Sequence, residues 1–193
     1  MKLVVGLGNP GSQYAKTRHN IGRRLVEALA ETRHANWQTN KALRSQWIQL
    51  DQEGSPFLVA LPESFMNESG ETIRLLAEHF RIDFNSELLV VVDDVSLPFG
   101  RLRLRASGQD GGHLGLRSIE EVMRSQTYAR LRIGIAPSES LAESLESYVL
   151  RPFKAEEERR LPEIFERAVQ SCILWITGPI EKAMDYTNKP LPD

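Results

Sequence analysis

Apolar residues follow two spacings along the chain. Short apolar runs, typical of strands, recur between stretches in which apolar residues are three and four positions apart, as on one face of a helix. Strands are predicted over residues 2–7, Ser45–Leu50, Phe57–Leu61, Leu88–Val92, Arg101–Arg105 and Arg130–Ile135. Helices are predicted over 20–34, 67–81 and 116–125, and in most of the chain after Ile135, where Pro162 starts or kinks a helix and Gly178-Pro179 ends one. This alternation predicts an α/β fold, a single-domain mixed β-sheet flanked by helices in a three-layer α/β/α arrangement.

Composition agrees with one folded domain spanning residues 1–193. The chain has 193 residues, 41% of them hydrophobic and 26% charged, enough to close one core. The single cysteine, Cys172, lies in an apolar run, which excludes an intramolecular disulfide and a thiolate-rich metal site and favours packing over nucleophilic chemistry. No apolar run reaches the roughly 18 residues of a membrane span, and Met1 leads straight into a strand rather than a signal peptide. We therefore expect a cytoplasmic protein without membrane association.

Charge is distributed unevenly, although the formal net charge is only -2. Between Arg101 and Arg132 there are seven arginines against three acids, and acids outnumber bases between Glu139 and Arg167. The near-neutral total argues against a general nucleic-acid coat protein, whereas the local excess of arginine suits phosphate. A solvated surface is the equally consistent alternative for these arginines.

The segment Gly6-Leu7-Gly8-Asn9-Pro10-Gly11 follows the first predicted strand and matches the G-x-G-x-x-G pattern of dinucleotide-binding proteins. That pattern works when a helix opens at its last glycine and points its N-terminus at pyrophosphate. Here a polar stretch without helical spacing follows, and the position about twenty residues further on, where an acid would bind ribose, falls inside a predicted helix. A glycine-rich turn is therefore the favoured interpretation, and dinucleotide binding the weaker one.

His19 is the main candidate for chemistry. It lies in a polar connection between a predicted strand and a predicted helix, and its unperturbed pKa of about 6.5 suits a base near neutral pH. Asp93 and Asp94 follow the predicted strand Leu88–Val92 at its C-terminal end, where α/β proteins place functional groups. A carboxylate there would accept a hydrogen bond from His19, fix its tautomer and favour its protonated form. A magnesium site and an Asx turn are the open alternatives for the two acids.

Two asparagines and two aromatic residues are candidates for binding. Asn9 lies in the glycine-rich turn and Asn67 at the predicted start of a helix, so a turn role and an N-cap role are their structural alternatives. Each amide can instead bind a peptide backbone, since it offers an acceptor and donors. Tyr14 and Phe65 offer flat surfaces to a nucleobase or ribose, with packing as the alternative for Phe65.

Separated motifs occur in order along almost the whole chain. They are Gly6-Leu7-Gly8-Asn9-Pro10-Gly11 with Tyr14, Thr17-Arg18-His19-Asn20, Phe65-Met66-Asn67 with Ser69-Gly70, Asp93-Asp94 with Leu97-Pro98 and Gly100, Gly111-Gly112-His113, Arg130-Leu131-Arg132-Ile133-Gly134, and Lys182-Ala183-Met184. With these motifs the chain resembles the bacterial peptidyl-tRNA hydrolase family. Several motifs in the same order are far more specific than any one of them.

The resemblance implies an esterase that uses neither a metal nor a cofactor. Such an enzyme cleaves the ester between a peptide and the 3′-terminal ribose of tRNA, and so recycles tRNA from prematurely released peptidyl-tRNA. By position, His19 would take a proton from water, and Asp93 would keep the imidazole basic. Asn9 and Asn67 would hold the peptide, with Asn9 helping to reject unblocked aminoacyl-tRNA.

The same resemblance implies tRNA as the partner. Tyr14 and Phe65 would line the site of the tRNA 3′ end, and Arg105 with Arg132 would clamp the 5′ phosphate. Arginine suits that task because its planar fork binds phosphate bidentately. We expect the protein to act as a monomer and to bind substrate less tightly as salt rises.

The chain departs from the family in one loop. The family usually has Gly-Gly-His-Asn-Gly where this chain has Gly111-Gly112-His113-Leu114-Gly115. Leu114 replaces the asparagine that would contact substrate and help to order the attacking water, so that role is lost or passes to a neighbour such as His113. A second hypothesis therefore stays open, a relative that binds RNA without turnover, as a plant organellar splicing factor of the same fold does.

Overall fold

The computed structural model describes residues 1–31, 36–137 and 144–190, and the strands in these ranges form one sheet. The strands are β1 (Lys2–Gly6), β2 (Gln38–Asn40), β3 (Ser45–Gln52), β4 (Ser55–Pro62), β5 (Leu88–Pro98), β6 (Leu102–Arg105) and β7 (Ala129–Ala136). Their order in the sheet is β2-β3-β4-β1-β5-β7-β6. The strands β4, β1, β5 and β7 are parallel, whereas β3 is antiparallel to β2 and β4, and β6 to β7. The sheet is therefore mixed, as predicted.

Helices cover both faces of this sheet. They are α1 (Ile21–Glu31), α2 (Ser69–Phe80), α3 (Phe84–Glu87), α4 (Leu114–Met123), α5 (Leu145–Val149), α6 (Ala155–Thr177) and α7 (Ile180–Thr187), and the 3₁₀ turns Arg18–Asn20 and Met66–Glu68 precede α1 and α2. Side chains alternate between the two faces of a strand. Val4 and Val91 therefore pack with α1 and α6, whereas Val5 and Val90 pack with α2 and α4. Two cores separated by one sheet confirm the predicted three-layer α/β/α fold.

β5 is longer than the sequence predicts. The apolar run Leu88–Val92 continues as strand to Pro98, so Asp93 and Asp94 lie inside β5 instead of following it. In a sequence, an aspartate after an apolar run indicates that the strand has ended, because an unpaired charge is costly to bury. Both carboxylates are buried here because each has a partner from another element.

The position of α1 contradicts the dinucleotide-binding interpretation. α1 begins at Ile21, ten residues after Gly11, with a turn and the first 3₁₀ turn in between. The glycine-rich segment therefore does not form the N-terminus of a helix, the feature that would bind pyrophosphate. Residues 32–34 of the predicted helix 20–34 lie outside the described residues.

Two further helices begin away from their predicted positions. α2 begins at Ser69, and Asn67 lies in the preceding 3₁₀ turn, so the N-cap role considered for Asn67 is wrong. α4 begins at Leu114, two residues before the predicted start, because the side chain of His113 caps it. As a result, Asn67 lies in a turn and His113 lies at the N-cap of α4.

Two short elements were not predicted, and Pro162 does not start a helix. β2 and α3 have three and four residues, too few to show a periodic pattern. α6 begins at Ala155 and continues through Pro162, which therefore does not start it, whereas Gly178 ends it as predicted.

Cys172 in α6 is fully buried, and burial raises the pKa of its thiol to about 12, in agreement with a packing role. Within the described ranges, none of the helices has the length and apolar character that crossing a bilayer requires.

β6 confirms the alternation predicted for Arg101–Arg105. Its two leucines are buried, and Arg103 and Arg105 are exposed. β6 lies at the edge of the sheet, and the side chain of Asn188, which follows α7, bonds to its backbone. The N–H of Leu104 donates to Oδ1 of Asn188 at 2.9 Å, and Nδ2 of Asn188 donates to the carbonyl of Leu104 at 3.2 Å.

Gly22 lets α1 approach β5 closely. A Cβ atom at this position would lie 2.2 Å from the carbonyl oxygen of Val91 and 3.0 Å from that of Leu7. Gly22 follows His19 by three residues, and Val91 precedes Asp93 by two. The contact between the two backbones therefore sets how closely His19 and Asp93 approach.

Gly22→Ala should lower the free energy of unfolding. The added methyl group meets backbone carbonyls that cannot move without shifting α1 from β5, so we expect a loss of about 1–3 kcal/mol, the usual cost of overpacking a core. Urea unfolding measures the change. Gly178→Ala is the matched control, because its methyl group would meet only the Leu174 carbonyl at 3.4 Å, an ordinary contact. Equal stability of the two variants would contradict the close contact between α1 and β5.

Candidate active site

His19 and Asp93 meet between the first 3₁₀ turn and β5. Nδ1 of His19 lies 2.8 Å from Oδ1 of Asp93. Both side chains are buried, and both line a cleft. Because the carboxylate accepts, the proton of the neutral imidazole sits on Nδ1, and Nε2 keeps its lone pair. This is the arrangement of a base that is oriented by a carboxylate.

His113 donates a second hydrogen bond to the same carboxylate oxygen. Its Nε2 lies 3.0 Å from Oδ1 of Asp93. Its Nδ1 accepts from the backbone N–H groups of Gly115 at 3.1 Å and Leu116 at 3.3 Å, at the start of α4. A ring nitrogen that accepts carries no proton, so the proton of His113 lies on Nε2 and points at Asp93. Neither nitrogen of His113 is left to act as a base.

Asp93 stays ionised and makes His19 more basic. Burial alone would raise the pKa of Asp93, but the two histidines and their hydrogen bonds hold this pKa well below its usual range. Burial alone would lower the pKa of His19. The charge of Asp93 and the hydrogen bond to it outweigh that effect, so the pKa of His19 lies above its usual value of 6.5.

The same three side chains are close enough to suggest a metal site. Their ligand atoms lie within 4.8 Å of one another. Coordination by histidine needs a nitrogen with a free lone pair, and the proton on Nε2 of His113 removes one of the candidates. The hydrogen bonds to Asp93 account for the short distances, so the arrangement does not fit a metal ion.

Asn9 connects the glycine-rich turn to the Met66–Glu68 turn. Its Oδ1 accepts from the backbone N–H of Met66 at 2.8 Å, which fixes the orientation of the amide and leaves Nδ2 to donate elsewhere. Asn20 holds the backbone of Asn9 with two hydrogen bonds, both 2.9 Å long. Asn20 had no predicted role, although it adjoins His19 in the chain, and that adjacency was the available indication.

A cleft of about 640 Å³ surrounds these groups. Of the predicted site residues, it is lined by Asn9, His19, Phe65, Asn67, Asp93, His113, Leu114 and Arg132. Phe65 and Asn67 are exposed. Tyr14 lies beside the cleft, where its ring meets that of Phe65 edge to face with centroids 6.3 Å apart. Arg105 is not among the lining residues.

The two predicted clamp arginines have different environments. Arg132 faces the cleft, but its guanidinium lies 3.2 Å from Asp94 and donates to a loop carbonyl at 2.7 Å. Arg105 is exposed, and its side chain has no hydrogen-bond or ion-pair partner among the described residues. In the register of β6 and β7, Arg103 stands opposite Arg132 and Arg105 opposite Arg130. These four arginines therefore share one face of the sheet, although only Arg105 and Arg103 are fully open to solvent.

Polar contacts build the loop that carries His113. Arg130 is only 1% exposed and donates to loop carbonyls, so it belongs to the core and not to an open phosphate-binding surface. Asp110 accepts from the N–H of Gly112 at 2.6 Å. Gly111 and Gly112 have φ values of 63° and 84°, a left-handed backbone that favours glycine. This folded loop delivers His113 to Asp93.

Five aliphatic side chains line the cleft. They are Val95, Leu114, Leu145, Val149 and Leu150, which we call the apolar wall. Leu114, Leu145 and Leu150 are 46%, 53% and 39% exposed. Apart from Leu114, these residues had no predicted role. Scattered apolar residues are common on surfaces, and the short helix α5 shows no period that would mark them.

Arg18 connects α5 and the start of α6 with the turn that carries His19. Its guanidinium donates to the carbonyl of Pro152 at 2.8 Å and to Glu157 at 2.7 Å, and lies 4.3 Å from the centre of the Tyr148 ring. Arg18 is 3% exposed, so these contacts replace its hydration. It thereby fixes part of the apolar wall relative to His19.

The fold and the cleft together define a class of protein, an α/β fold whose cleft holds a histidine that is oriented by a carboxylate. The sequence matches the peptidyl-tRNA hydrolase family model over residues 3–192. A peptidyl-tRNA hydrolase of Roseiflexus castenholzii is 45% identical in a match that covers 100% of this chain and 89% of the relative. One of Aquifex aeolicus is 38% identical, with 98% and 97% covered. This chain belongs to the peptidyl-tRNA hydrolase family.

Solved structures agree with that assignment. A crystal structure of a peptidyl-tRNA hydrolase in complex with N-propanol has a TM-score of 0.91 at 31% identity, and the match covers 100% of this chain and 97% of that one. The peptidyl-tRNA hydrolase of Acinetobacter baumannii has a TM-score of 0.89 at 31% identity, with 97% and 94% covered.

Asp93→Asn should lower the pKa of His19. The amide carries no charge, so the main interaction that raises this pKa is lost, while burial, which lowers it, remains. An NMR titration of the His19 ring should show a pKa above 6.5 in the unchanged protein and a lower one in the variant. Asp51→Asn makes the same change at an exposed carboxylate outside the cleft and is the control. The same His19 pKa in all three proteins would contradict the pairing.

Proposed function

We propose that this protein hydrolyses the ester between the peptide and the 3′-terminal ribose of peptidyl-tRNA. The observation that carries the proposal is the 2.8 Å contact between Nδ1 of His19 and Oδ1 of Asp93 in the cleft. It supplies a base near neutral pH, and membership of the family supplies the substrate class. An ester is reactive enough for a positioned base, worth about 10²–10⁴-fold, together with oriented donors. The proposed reaction uses neither a metal nor a cofactor.

In the proposed reaction, Nε2 of His19 takes a proton from a water molecule as the water oxygen attacks the ester carbonyl carbon. The negative charge of Asp93 stabilises the imidazolium that forms. Collapse of the tetrahedral intermediate breaks the bond between the carbonyl carbon and the ribose oxygen. The proton on Nε2 passes to that oxygen, so the peptide leaves as a carboxylic acid, the tRNA leaves with a free hydroxyl, and His19 is neutral again.

The amides of Asn9 and Asn67 are proposed to hold the peptide. Nδ2 of Asn9 donates to a peptide carbonyl, because Oδ1 already accepts from Met66. Asn67 adds a second amide at the exposed edge. The amide protons of Asn9 repel a free ammonium group, which favours blocked over unblocked aminoacyl-tRNA. His113 cannot take over the water-ordering role that Leu114 lacks, since both of its nitrogens are bound.

The 3′ end of the tRNA is proposed to bind beside Tyr14 and Phe65. These two rings lie at right angles to each other, and each offers a surface to the 3′-terminal nucleotide. Arg105, which is exposed, binds the 5′ phosphate, and Arg132 adds positive charge while it remains paired with Asp94. We propose further that residues 1–193 act as one domain and as a monomer in the cytoplasm, where translation produces peptidyl-tRNA.

His19→Ala should abolish measurable deacylation of N-acetyl-aminoacyl-tRNA. Removal of a general base costs about 10²–10⁴-fold in kcat, and binding should persist because the cleft keeps its other groups. Release of the N-acetyl amino acid over time measures turnover. His79→Ala, at an exposed histidine of α2, is the matched control and should leave turnover unchanged.

Two results would contradict the proposed function. Turnover of His19→Ala at a rate close to that of the unchanged protein would show that the base lies elsewhere. Tight RNA binding by the unchanged protein without any turnover would favour a non-catalytic RNA-binding relative.

Arg105→Ala should weaken the binding of full-length substrate. The loss of one phosphate contact should raise KM and reduce the slope of log affinity against log salt by about one. Arg159→Ala, at an exposed arginine of α6, is the control. A short nucleotide ester that lacks the 5′ phosphate should be hydrolysed equally by all three proteins. An equal loss on the short ester would contradict the clamp.

A further inference from the structure

The apolar wall is the part of the cleft that ester hydrolysis does not explain. None of its five side chains can donate or accept a hydrogen bond, so the wall takes no part in proton transfer. Three leucines nevertheless keep 46%, 53% and 39% of their surface exposed in one cleft. Contiguous exposed apolar surface in a water-filled cleft is typical of a binding site.

The wall lies next to the reacting groups. Leu114 directly follows His113, whose ring is 5.0 Å from the ring of His19. Val95 follows Asp93 by two residues on β5. The hydrogen bonds of Arg18 tie the segment that follows α5, at Arg151 and Pro152, to the turn that carries His19. The apolar surface is therefore fixed relative to Nε2 of His19, where the attacked carbonyl must lie.

The covalent structure of the substrate limits what can reach this surface. In peptidyl-tRNA, the side chain of the last residue and the rest of the peptide both branch from the carbon next to the ester carbonyl. The peptide backbone needs donors and acceptors, which Asn9 and Asn67 supply. When the backbone binds those amides, the side chain of the esterified residue is left to contact the aliphatic lining of the same cleft.

We propose that the apolar wall binds the side chain of the esterified residue, so that the enzyme prefers peptidyl-tRNA whose last residue is large and apolar. This inference rests on the proposed function and names its substrate class. Leu114 is the residue that determines specificity, since its side chain offers apolar contact and no hydrogen bond. A polar side chain placed against it loses hydration without gaining a partner, which disfavours that substrate.

The test compares two substrates on one tRNA body, N-acetyl-leucyl-tRNA and N-acetyl-asparaginyl-tRNA. Leucine and asparagine have similar shapes, so the ratio of their kcat/KM values isolates polarity. We expect a preference for leucine of about tenfold or more in the unchanged protein, the size of discrimination that an apolar pocket provides. Leu114→Asn should bring the ratio close to one. Any change in rate that is common to both substrates cancels in the ratio.

A second wall variant and a control complete the design. Leu150→Asn, at another exposed leucine of the wall, should also lower the ratio. Val122→Asn introduces the same polar group at an exposed apolar residue of α4 that does not line the cleft, and it should keep the full preference. KM should carry most of the change, because the wall contacts no reacting atom.

The outcomes separate this inference from the function on which it rests. Hydrolysis of both substrates with a ratio near one in the unchanged protein would overturn the inference and leave the proposed function standing. A leucine preference that survives both Leu114→Asn and Leu150→Asn would also overturn it. Failure of the unchanged protein to hydrolyse either substrate would overturn the proposed function and the inference with it.

Discussion

The hydrogen bonds to the Asp93 carboxylate join the elements that form the cleft. A carboxylate that is only 2% exposed is costly to bury unless its charge is matched. Here one oxygen receives N–H groups from His19, on a turn before α1, and from His113, at the start of α4. The requirement to satisfy one buried charge therefore joins three separate elements. The same requirement orients the imidazole of His19, the proposed base.

Backbone packing brings these distant residues into contact. Gly22 lets α1 lie against the carbonyl of Val91, and the left-handed residues Gly111 and Gly112 turn the loop so that His113 faces β5. Both arrangements lie in the backbone. The scaffold therefore brings His19 and His113 within reach of Asp93, and the hydrogen bonds then fix the tautomers of the two imidazoles.

Much of this arrangement could be predicted from residue types and their order. The run Leu88–Val92 and the alternation in Arg101–Arg105 show their strands directly, and the place of His19 between strand and helix marks it as a candidate base. The extension of β5 through Asp93 could not be predicted, because the partner that makes its burial possible is 74 residues away. Arg130 could not be recognised as a core residue for the same reason. Its hydrogen bonds go to the backbone carbonyls of Gly108 and Gln126, which composition does not indicate.

The contact between Asn188 and β6 has a consequence for how copies of the protein behave when concentrated. An open edge strand is a template on which another chain can add a strand, and such addition begins many aggregates. The amide of Asn188 occupies the outward N–H and carbonyl of Leu104 much as a neighbouring strand would. The opposite edge strand, β2, has only three residues, all of them polar. One residue of β6 is thereby closed to strand addition, and the other edge offers only a short, polar template.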